Sequence, residues 1–382
     1  MKTQSIALLL LAAALPANVA AKAETIEAAP VALEGTEVRS LRSAQGLDYR
    51  IFISTPTEQA PPGGWPVVYV LDGNGWFLPF AQLARMVGRR PDHNGRLPAV
   101  VVGIGYPGER PFHSERRTWD FTPPVALREP PPAPGGKPWS RTGGSEDFLD
   151  FLKTRVKPMI EAEFRIDTGR QALYGHSLGG LFALHAAFTR PASFQYFGAM
   201  SPSIWWNKNY VTDEEKAFPA VLAKHKGRVN LFIGVGASEL PHMVGDADAM
   251  AKRIAAAKYD GLDFTYVAFP GEEHISVAAP AFTRFYDAVF AATEADKASY
   301  LKVYDLGQDA TALEDADAYF RLTPQRQAAV RRAGRNLANA DPTAFDRRLR
   351  GWIAALPAHE RGAVQKQHDL WDRRTGTVPV PY

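Results

Sequence analysis

The sequence predicts an α/β fold: a doubly wound, mostly parallel sheet of eight strands with helices on both faces. Two observations support this prediction. Short, nearly continuous apolar runs recur through the middle of the chain, as strands buried on both faces require. Several of these runs are separated by stretches with apolar residues at helical spacing, and such alternation is typical of a parallel sheet covered by helices.

The predicted strands differ in how clearly they show the pattern. Residues 49–55 alternate between apolar and polar side chains, residues 38–41 show a weaker trace of this alternation, and the other strands are short apolar runs. The eight predicted strands are residues 38–41, 49–55, 66–71, 98–103, 172–174, 196–200, 229–234 and 264–269.

The clearest predicted helix follows Ser145, which is a candidate N-cap with two acidic residues after it. This helix extends to residue 164, and Pro158 is expected to kink it. Further helices are predicted over residues 178–188, 246–257 and 281–292.

The composition excludes several classes of protein. The chain has 382 residues, 46% of them hydrophobic, which is ample to bury a large core. It contains no Cys, so a disulfide framework, a thiolate metal cluster and a Cys nucleophile are excluded. The 44 Lys and Arg against 41 Asp and Glu leave a net charge of +3, which gives little support to nucleic-acid binding.

The ends of the chain differ from its middle. Residues 1–3 carry one lysine, and an apolar run and then small residues follow up to residue 23, which is the layout of a secretory signal peptide; an uncleaved anchor is the alternative. The apolar run is shorter than the roughly 20 residues that a membrane span needs. We therefore expect an exported protein, with the periplasm as the preferred compartment. Its main domain is expected over residues 24–293 and a helical C-terminal extension over 294–382.

Two segments have no clear place in the sheet. Residues 107–144 are rich in Pro, Gly and Arg and lack periodicity, which is typical of a lid, a binding loop or an insertion. The extension holds eight Arg against two Asp over residues 321–350, a net of +6. An anionic partner would fit this charge, but solvated helix faces give similar counts.

The strongest chemical signal is the sequence Gly-His-Ser-Leu-Gly-Gly over residues 175–180, between a predicted strand and a predicted helix. A G-x-S-x-G motif in this context is a nucleophile elbow, in which glycines leave room for a strained serine and a close strand–helix crossing. Ser177 is therefore the predicted nucleophile. The N–H of Leu178 begins the helix and is expected to face a developing oxyanion.

A serine nucleophile needs a general base, and in α/β-hydrolases the chain order is serine, acid, histidine. His185 falls inside the helix after the elbow, and His225 lies in a lysine-rich stretch. His274 follows the last predicted strand, at the sheet edge where open α/β folds place their sites. It is the predicted base.

The acid and the second oxyanion donor are less determined by spacing. Glu239 lies in the loop after the strand at 229–234 and is preferred, with Asp246 and Asp248 as alternatives. The main-chain N–H of Asn74, in the glycine-containing segment after the third strand, is the candidate second oxyanion donor. An ordinary Gly-Asn turn is the alternative there.

These motifs together resemble the esterase family of α/β-hydrolases that contains S-formylglutathione hydrolase, the mycolyltransferases, feruloyl esterases and trilactone siderophore esterases. The resemblance covers about residues 38–292. It is carried by LDGNGWF (71–77), RRTWDFTP (116–123), the helix at 145–164, YGHSLGG (174–180), SPSIWW (201–206), the Glu239 loop and GEEH (271–274).

Within that family, the sequence looks most like the periplasmic esterases that cut enterobactin-type triscatecholate trilactones, and bacillibactin hydrolases are similar. The resemblance implies that Ser177 is the nucleophile and His274 the base. Some siderophore esterases of this type work with a Ser–His dyad, so the role of the acid stays open. The chain departs from the single-domain members in its extension at 294–382.

A ferric triscatecholate is anionic and aromatic, so its site needs cations beside stacking surfaces. The candidate substrate-binding residues are Arg116, Arg117, Trp76, Trp205 and Trp206. The alternative is that the tryptophans pack the fold and the charges are solvated.

The sequence thus predicts an exported serine esterase that hydrolyses a siderophore trilactone, with or without iron, through an acyl-enzyme. Its partner would be a small-molecule ester, with no nucleic acid, no membrane span and no metal or organic cofactor required, and its oligomeric state is left open. The alternatives are a general or feruloyl-type carboxylesterase, an acyltransferase, and a non-catalytic binding protein on a hydrolase scaffold.

Overall fold

The computed structural model describes residues 33–128, apart from 59, 62 and 90, residues 141–297, and the single positions 351 and 354. The predicted signal peptide, much of the predicted loop at 107–144, and nearly all of the predicted helical extension lie outside the described residues. The prediction of three segments therefore stays a prediction.

Eight strands form one sheet in the order β1-β2-β4-β3-β5-β6-β7-β8. β1 pairs antiparallel with β2 and β2 antiparallel with β4, and every later pair is parallel. This confirms the predicted mostly parallel, eight-stranded sheet. The strands are β1 (Thr36–Arg42), β2 (Asp48–Ser54), β3 (Trp65–Leu71), β4 (Val100–Gly105), β5 (Ile166–His176), β6 (Tyr196–Met200), β7 (Val229–Gly236) and β8 (Leu262–Phe269).

Helices connect the parallel strands. They are α1 (Gly73–Gly88), α2 (Pro91–Asn94), α3 (Ser114–Phe121), α4 (Ser145–Phe151), α5 (Lys157–Glu163), α6 (Leu178–Thr189), α7 (Trp206–Asn209), α8 (Val211–Leu222), α9 (Pro241–Ala257) and α10 (Ala278–Val289). None of the helices in the described part of the chain is both long and apolar enough to cross a membrane.

The central strand β3 shows how the two layers of the core arise. Alternate side chains of a strand point to opposite faces of the sheet. Val67 and Tyr69 enter the cluster that packs under α4, α5, α6, α8 and α9, whereas Val68 and Val70 enter the cluster under α1 and α10. Both faces of the strand are buried, which explains why it reads as an uninterrupted apolar run.

The predicted helix at 145–164 is interrupted, as the proline in it led us to expect. α4 passes into a wider, π-type turn at Leu152–Val156, and α5 begins just after it with Pro158 in its first turn. The N–H of Lys157 accordingly reaches back to the carbonyl of Leu152. Proline excludes the regular hydrogen bond at this point, because it has no N–H and its ring crowds the preceding turn.

Some elements were not predicted. α1 begins at Gly73, directly after β3, where the sequence indicated a turn. α3 lies inside the stretch at 107–144 that lacks periodicity, and its first turn is capped by His113, whose Nδ1 accepts the N–H of Arg116 at 3.4 Å. α8 was not predicted either.

Candidate active site

Ser177 lies between β5 and α6 with φ 61° and ψ −118°, a backbone conformation that non-glycine residues rarely adopt. Two of the three neighbouring glycines, Gly175 and Gly180, are required by space, whereas a Cβ on Gly179 would come no closer than 3.5 Å to its neighbours. A Cβ on Gly175 would lie 2.1 Å from the carbonyl oxygen of Gly179, and one on Gly180 would lie 2.9 Å from that of Met200. The strand and helix thus cross at van der Waals contact, which is the geometry of a nucleophile elbow.

The predicted acid and base lie side by side. Glu239 Oε2 accepts a hydrogen bond from His274 Nδ1 at 2.8 Å. The side chain of Glu239 has no exposed surface and that of His274 is 39% exposed, so the imidazole faces the solvent side and the carboxylate the interior. Of the alternatives, Asp248 accepts the hydroxyl of Tyr266 instead.

Three donors keep Glu239 ionised. Burial alone would raise its pKa, but hydrogen bonds from His274, from the hydroxyl of Ser201 and from the N–H of Gly236 outweigh burial and lower the pKa. Ser201 and Gly236 both donate to Oε1, the latter at 2.9 Å, which leaves Oε2 for the histidine. A fixed carboxylate in this position holds the proton of the imidazole on Nδ1 and leaves Nε2 free to act as a base.

His176, the variable residue of the G-x-S-x-G motif, links the elbow to the histidine loop. Its Nε2–H donates to the carbonyl oxygen of His274 at 2.5 Å, and the two rings lie 4.7 Å apart. Burial, together with the neighbouring His274, lowers the pKa of His176 to about 3, so it is neutral. This contact brings His274 to the same sheet edge as Ser177.

The hydroxyl of Ser177 contacts a second serine. Its Oγ lies 3.5 Å from Oγ of Ser203, and within the described residues it forms no hydrogen bond to His274. Catalytic hydrogen bonds are often long before substrate binds and shorten in the reacting complex.

The two predicted oxyanion donors open neighbouring helices. Leu178 is the first residue of α6, and Asn74 lies in the first turn of α1. These helices start from β5 and β3, which are adjacent in the sheet. The first N–H groups of a helix have no partner within the helix, so both remain available to an anion.

The segment that carries Asn74 is firmly held. Its side-chain amide donates to the carbonyls of Tyr106 and Gly108 at 3.0 and 2.9 Å, and its Oδ1 accepts the N–H of Tyr106 at 2.7 Å. Two residues before Asn74, Asp72 is in a left-handed conformation with φ 53°. Asp72 forms a bidentate ion pair with Arg117, in which both hydrogen bonds are 2.9 Å long. The structure therefore has a rigid helix start, rather than a free turn, at this position.

The two arginines predicted to bind substrate face the protein. Arg117 is only 14% exposed, and its guanidinium is bound to the buried Asp72. Arg116 donates from Nη1 to the carbonyl of Asp48 at 3.2 Å and lies over the rings of Tyr49 and Tyr106. The position of Arg117 agrees with a packing role, because its ion pair lies inside the protein. Arg116 is also turned inward, but its Nε and Nη2 are buried without a hydrogen-bond partner among the described residues.

The three tryptophans predicted to bind substrate differ in how far they are buried. Trp206 has no exposed surface and thus offers no face to a substrate, so it belongs to the packing aromatics, the alternative left open above. Trp205 is half-buried against the core. Trp76 is half-buried beside the oxyanion segment, stacked on Phe80, with its ring edge-on to His176.

His185 lies away from the site, as the sequence suggested. It is 3% exposed and bridges α4 and α8, with Nδ1 2.8 Å from Glu214 and Nε2 near Ser145 and Glu146 at 3.0 and 3.1 Å. Burial lowers its pKa, but hydrogen bonds to the two glutamates outweigh burial and raise the pKa to about 9. A buried imidazolium holding three helices together is structural.

Sequence reasoning missed four residues of this site: His176, Ser201, Ser203 and Asp72. The two serines stood in the SPSIWW segment, which was used only as a mark of resemblance. Their contacts join segments far apart in the chain, and only the parallel pairing of β5, β6 and β7 brings these segments together.

Comparison with known proteins agrees with this geometry. Residues 43–334 match the Esterase family model, described as "Putative esterase". The ferri-bacillibactin esterase BesA of Bacillus subtilis strain 168 is 41% identical over 249 residues, which cover 64% of this chain and 86% of that protein. The apo-salmochelin esterase of Escherichia coli O6:H1 is 28% identical over 233 residues, covering 59% of this chain and 70% of that one.

The crystal structure of the BES protein from Bacillus cereus has 39% sequence identity and a TM-score of 0.66, covering 69% of this chain and 99% of that chain. The fold, the nucleophile elbow and the family match lead to one conclusion. The chain belongs to the esterase family of α/β-hydrolases and is a serine hydrolase that acts on carboxylic ester bonds.

Proposed function

We propose that the protein is an exported esterase that opens the trilactone ring of a triscatecholate siderophore, free or iron-loaded, through an acyl-enzyme on Ser177. The observation that carries the catalytic part is the strained elbow serine at the same sheet edge as the His274–Glu239 pair. The substrate class is supported by the relatives, which are named for bacillibactin and salmochelin.

The proposed reaction assigns one role to each of these side chains. Ser177 Oγ attacks the ester carbonyl carbon while His274 Nε2 takes its proton, and Glu239 stabilises the imidazolium through Nδ1. The N–H groups of Leu178 and Asn74 hold the negative oxygen that forms. The alcohol then leaves with the proton from His274.

Hydrolysis of the acyl-enzyme repeats these steps with water as the nucleophile. His274 takes a proton from the water and returns it to Ser177 Oγ as the C–O bond to the serine breaks. Every proton in this cycle is carried by His274. The residues that have been named complete the cycle without a further reactant.

The test uses the purified protein and Ser177→Ala, incubated with apo and ferric enterobactin and with a short-chain aryl ester, with products followed by chromatography. We expect the wild type to cut the trilactone and the variant to be inert. Cleavage of the aryl ester alone would retain the mechanism and replace the substrate with that of a general carboxylesterase. Activity of Ser177→Ala would overturn the assignment of the nucleophile.

The same experiment distinguishes acyl transfer from hydrolysis. Addition of a carbohydrate acceptor diverts the acyl group from water in a transferase, whereas an esterase continues to release free acid. Export is tested on its own: mass spectrometry of protein from the periplasmic fraction should show a chain that begins after residue 21 or 23. A full-length chain found with the cytoplasm would contradict export.

A further inference from the structure

Ser203 is placed against the nucleophile by the backbone. The N–H of Ser177 donates to the carbonyl of Met200 at 2.9 Å, and the N–H of Ser203 donates to the carbonyl of Ser177 at 3.1 Å. The segment that follows β6 is thus bound to the elbow on both sides of the nucleophile. The position of the Ser203 hydroxyl relative to Ser177 is set by two main-chain hydrogen bonds and varies only by side-chain rotation.

Among the described residues, the hydroxyl of Ser203 has one hydrogen-bond partner. The side chain is 2% exposed, and its Oγ lies 3.5 Å from Ser177 Oγ. Either hydroxyl could donate across this distance. Donation from Ser203 would give its buried hydroxyl an acceptor, and a buried hydroxyl is costly without a partner. That acceptor is the atom that attacks the substrate.

We propose that Ser203 is a further catalytic residue, whose hydroxyl donates a hydrogen bond to Ser177 Oγ when that oxygen carries negative charge. Ser177 Oγ has one proton and two lone pairs. If Ser203 occupies one lone pair as a donor, the proton of Ser177 is left for His274 and the other lone pair for the carbonyl carbon. Ser203 keeps its own proton throughout, so the proton balance of the cycle is unchanged.

The two halves of the reaction depend differently on this donor. During acylation, a hydrogen bond to Ser177 Oγ stabilises the negative charge on this oxygen, but it also makes the oxygen a weaker nucleophile. The two effects partly cancel. During deacylation, Ser177 Oγ is the leaving group, and charge develops on it as the C–O bond breaks. A donor aimed at that oxygen then accelerates the step without an opposing effect.

Ser201, two residues earlier, provides the contrast. Its hydroxyl donates to Glu239 Oε1 and so acts through the acid and His274. Because His274 moves a proton in both steps, loss of the Ser201 hydroxyl should slow acylation and deacylation alike. Ser201 is thus a positioning residue, whereas the effect of Ser203 should be concentrated in deacylation.

The experiment measures the two steps separately with a p-nitrophenyl ester in rapid-mixing kinetics and intact-protein mass spectrometry. In Ser203→Ala we expect a burst of nitrophenol equal to the enzyme concentration, an acyl adduct that accumulates on the protein, and deacylation slowed roughly 10- to 100-fold. Ser203→Cys, which is of similar size with a weaker donor, should fall between wild type and alanine. Ser201→Ala should show no burst beyond that of the wild type.

Ser193→Ala is the matched control. Ser193 is 1% exposed and its hydroxyl donates to the carbonyl of Arg190, away from the elbow. Thermal unfolding of all variants checks that each is folded. Equal slowing of both steps in Ser203→Ala, or rates within twofold of the wild type, would overturn the proposal.

The inference rests on the proposed acyl-enzyme chemistry but not on the siderophore. Ser177→Ala, measured beside the other variants, separates the two failures. If Ser177→Ala is inert and Ser203→Ala keeps both rates, only the inference about Ser203 fails. If Ser177→Ala retains activity, the proposed function fails as well.

Discussion

Replacement of Glu239 by Gln tests whether the enzyme works with a triad or a dyad. Ser201 and the N–H of Gly236 both donate to Oε1 of the carboxylate. In Glu239→Gln these two donors select the amide oxygen for that position. The amide nitrogen must then occupy the place of Oε2, 2.8 Å from Nδ1 of His274.

That orientation reverses the tautomer of the histidine. An amide N–H facing Nδ1 requires Nδ1 to be an acceptor, so the proton of the imidazole moves to Nε2. In the proposed mechanism, Nε2 is the atom that takes the proton of Ser177. Loss of the correct tautomer in a serine hydrolase lowers the rate about 10⁴-fold, which corresponds to about 5 kcal/mol of transition-state stabilisation.

The measurement is kcat/KM for an aryl ester, with Glu273→Gln as the control. Glu273 is exposed and precedes His274 directly, so it loses a charge at the same loop without a contact to the imidazole. We expect Glu239→Gln to lose about four orders of magnitude and Glu273→Gln to stay near the wild type. A Glu239→Gln enzyme within about tenfold of the wild type would refute the tautomer argument and indicate a Ser–His dyad.

Three further predictions concern stability. His185→Gln should lower the free energy of unfolding in urea by up to about 3 kcal/mol below pH 6.5. This difference should disappear as pH rises through about 9, because the imidazolium of the folded protein loses its proton there. A cost that does not depend on pH would contradict the charged state. Burial raises the pKa of Asp120 to about 7 from 3.8, so the folded state binds the extra proton and stability should fall as pH rises between these values. Asp120→Asn should flatten that part of the stability curve, and an unchanged slope would show that another group causes it. Gly175→Ala should leave little folded protein in a solubility assay, because its Cβ would lie 2.1 Å from the Gly179 carbonyl, whereas Gly245→Ala, in open space on α9, should be tolerated.

The sheet could be predicted from the sequence because burial on both faces leaves a direct trace in composition. β3 and β4 are buried along nearly their whole length, and both read as apolar runs. β5 was predicted only from residue 172, since its first five residues, 166–170, are at least partly exposed and carry no apolar pattern. This part of the strand pairs with β3 only at Ile166, opposite Trp65, and the register then shifts before Gln171.

α1 was missed for a related reason. It has no side-chain N-cap, contains Pro79, and begins with two glycines around Asn74, all of which indicate a turn. What stabilises its start is tertiary: Asn74 is bound to the loop after β4, and a Cβ on Gly73 would lie 2.7 Å from the backbone of Gly103. Contacts of this kind override local propensity and leave no local signal.

Pairing of charges was the hardest feature to predict. Arg116 and Arg117 stand in a segment that looked solvated, and an anionic substrate was a reasonable partner for them. In the structure, Asp72 is 1% exposed just before α1, and a buried carboxylate needs a cation or several hydrogen-bond donors to remain charged. Arg117 provides that cation from 45 residues further along the chain.

The ion pair gives the RRTWDFTP segment a structural role beside the proposed oxyanion donor Asn74. By fixing Asp72 in its left-handed conformation, Arg117 holds the turn that presents the N–H of Asn74 at the start of α1. An oxyanion donor is effective only if it is oriented before charge develops, because reorientation during the reaction would consume the stabilisation that it provides. In the proposed mechanism, the segment therefore supports the geometry of the oxyanion site.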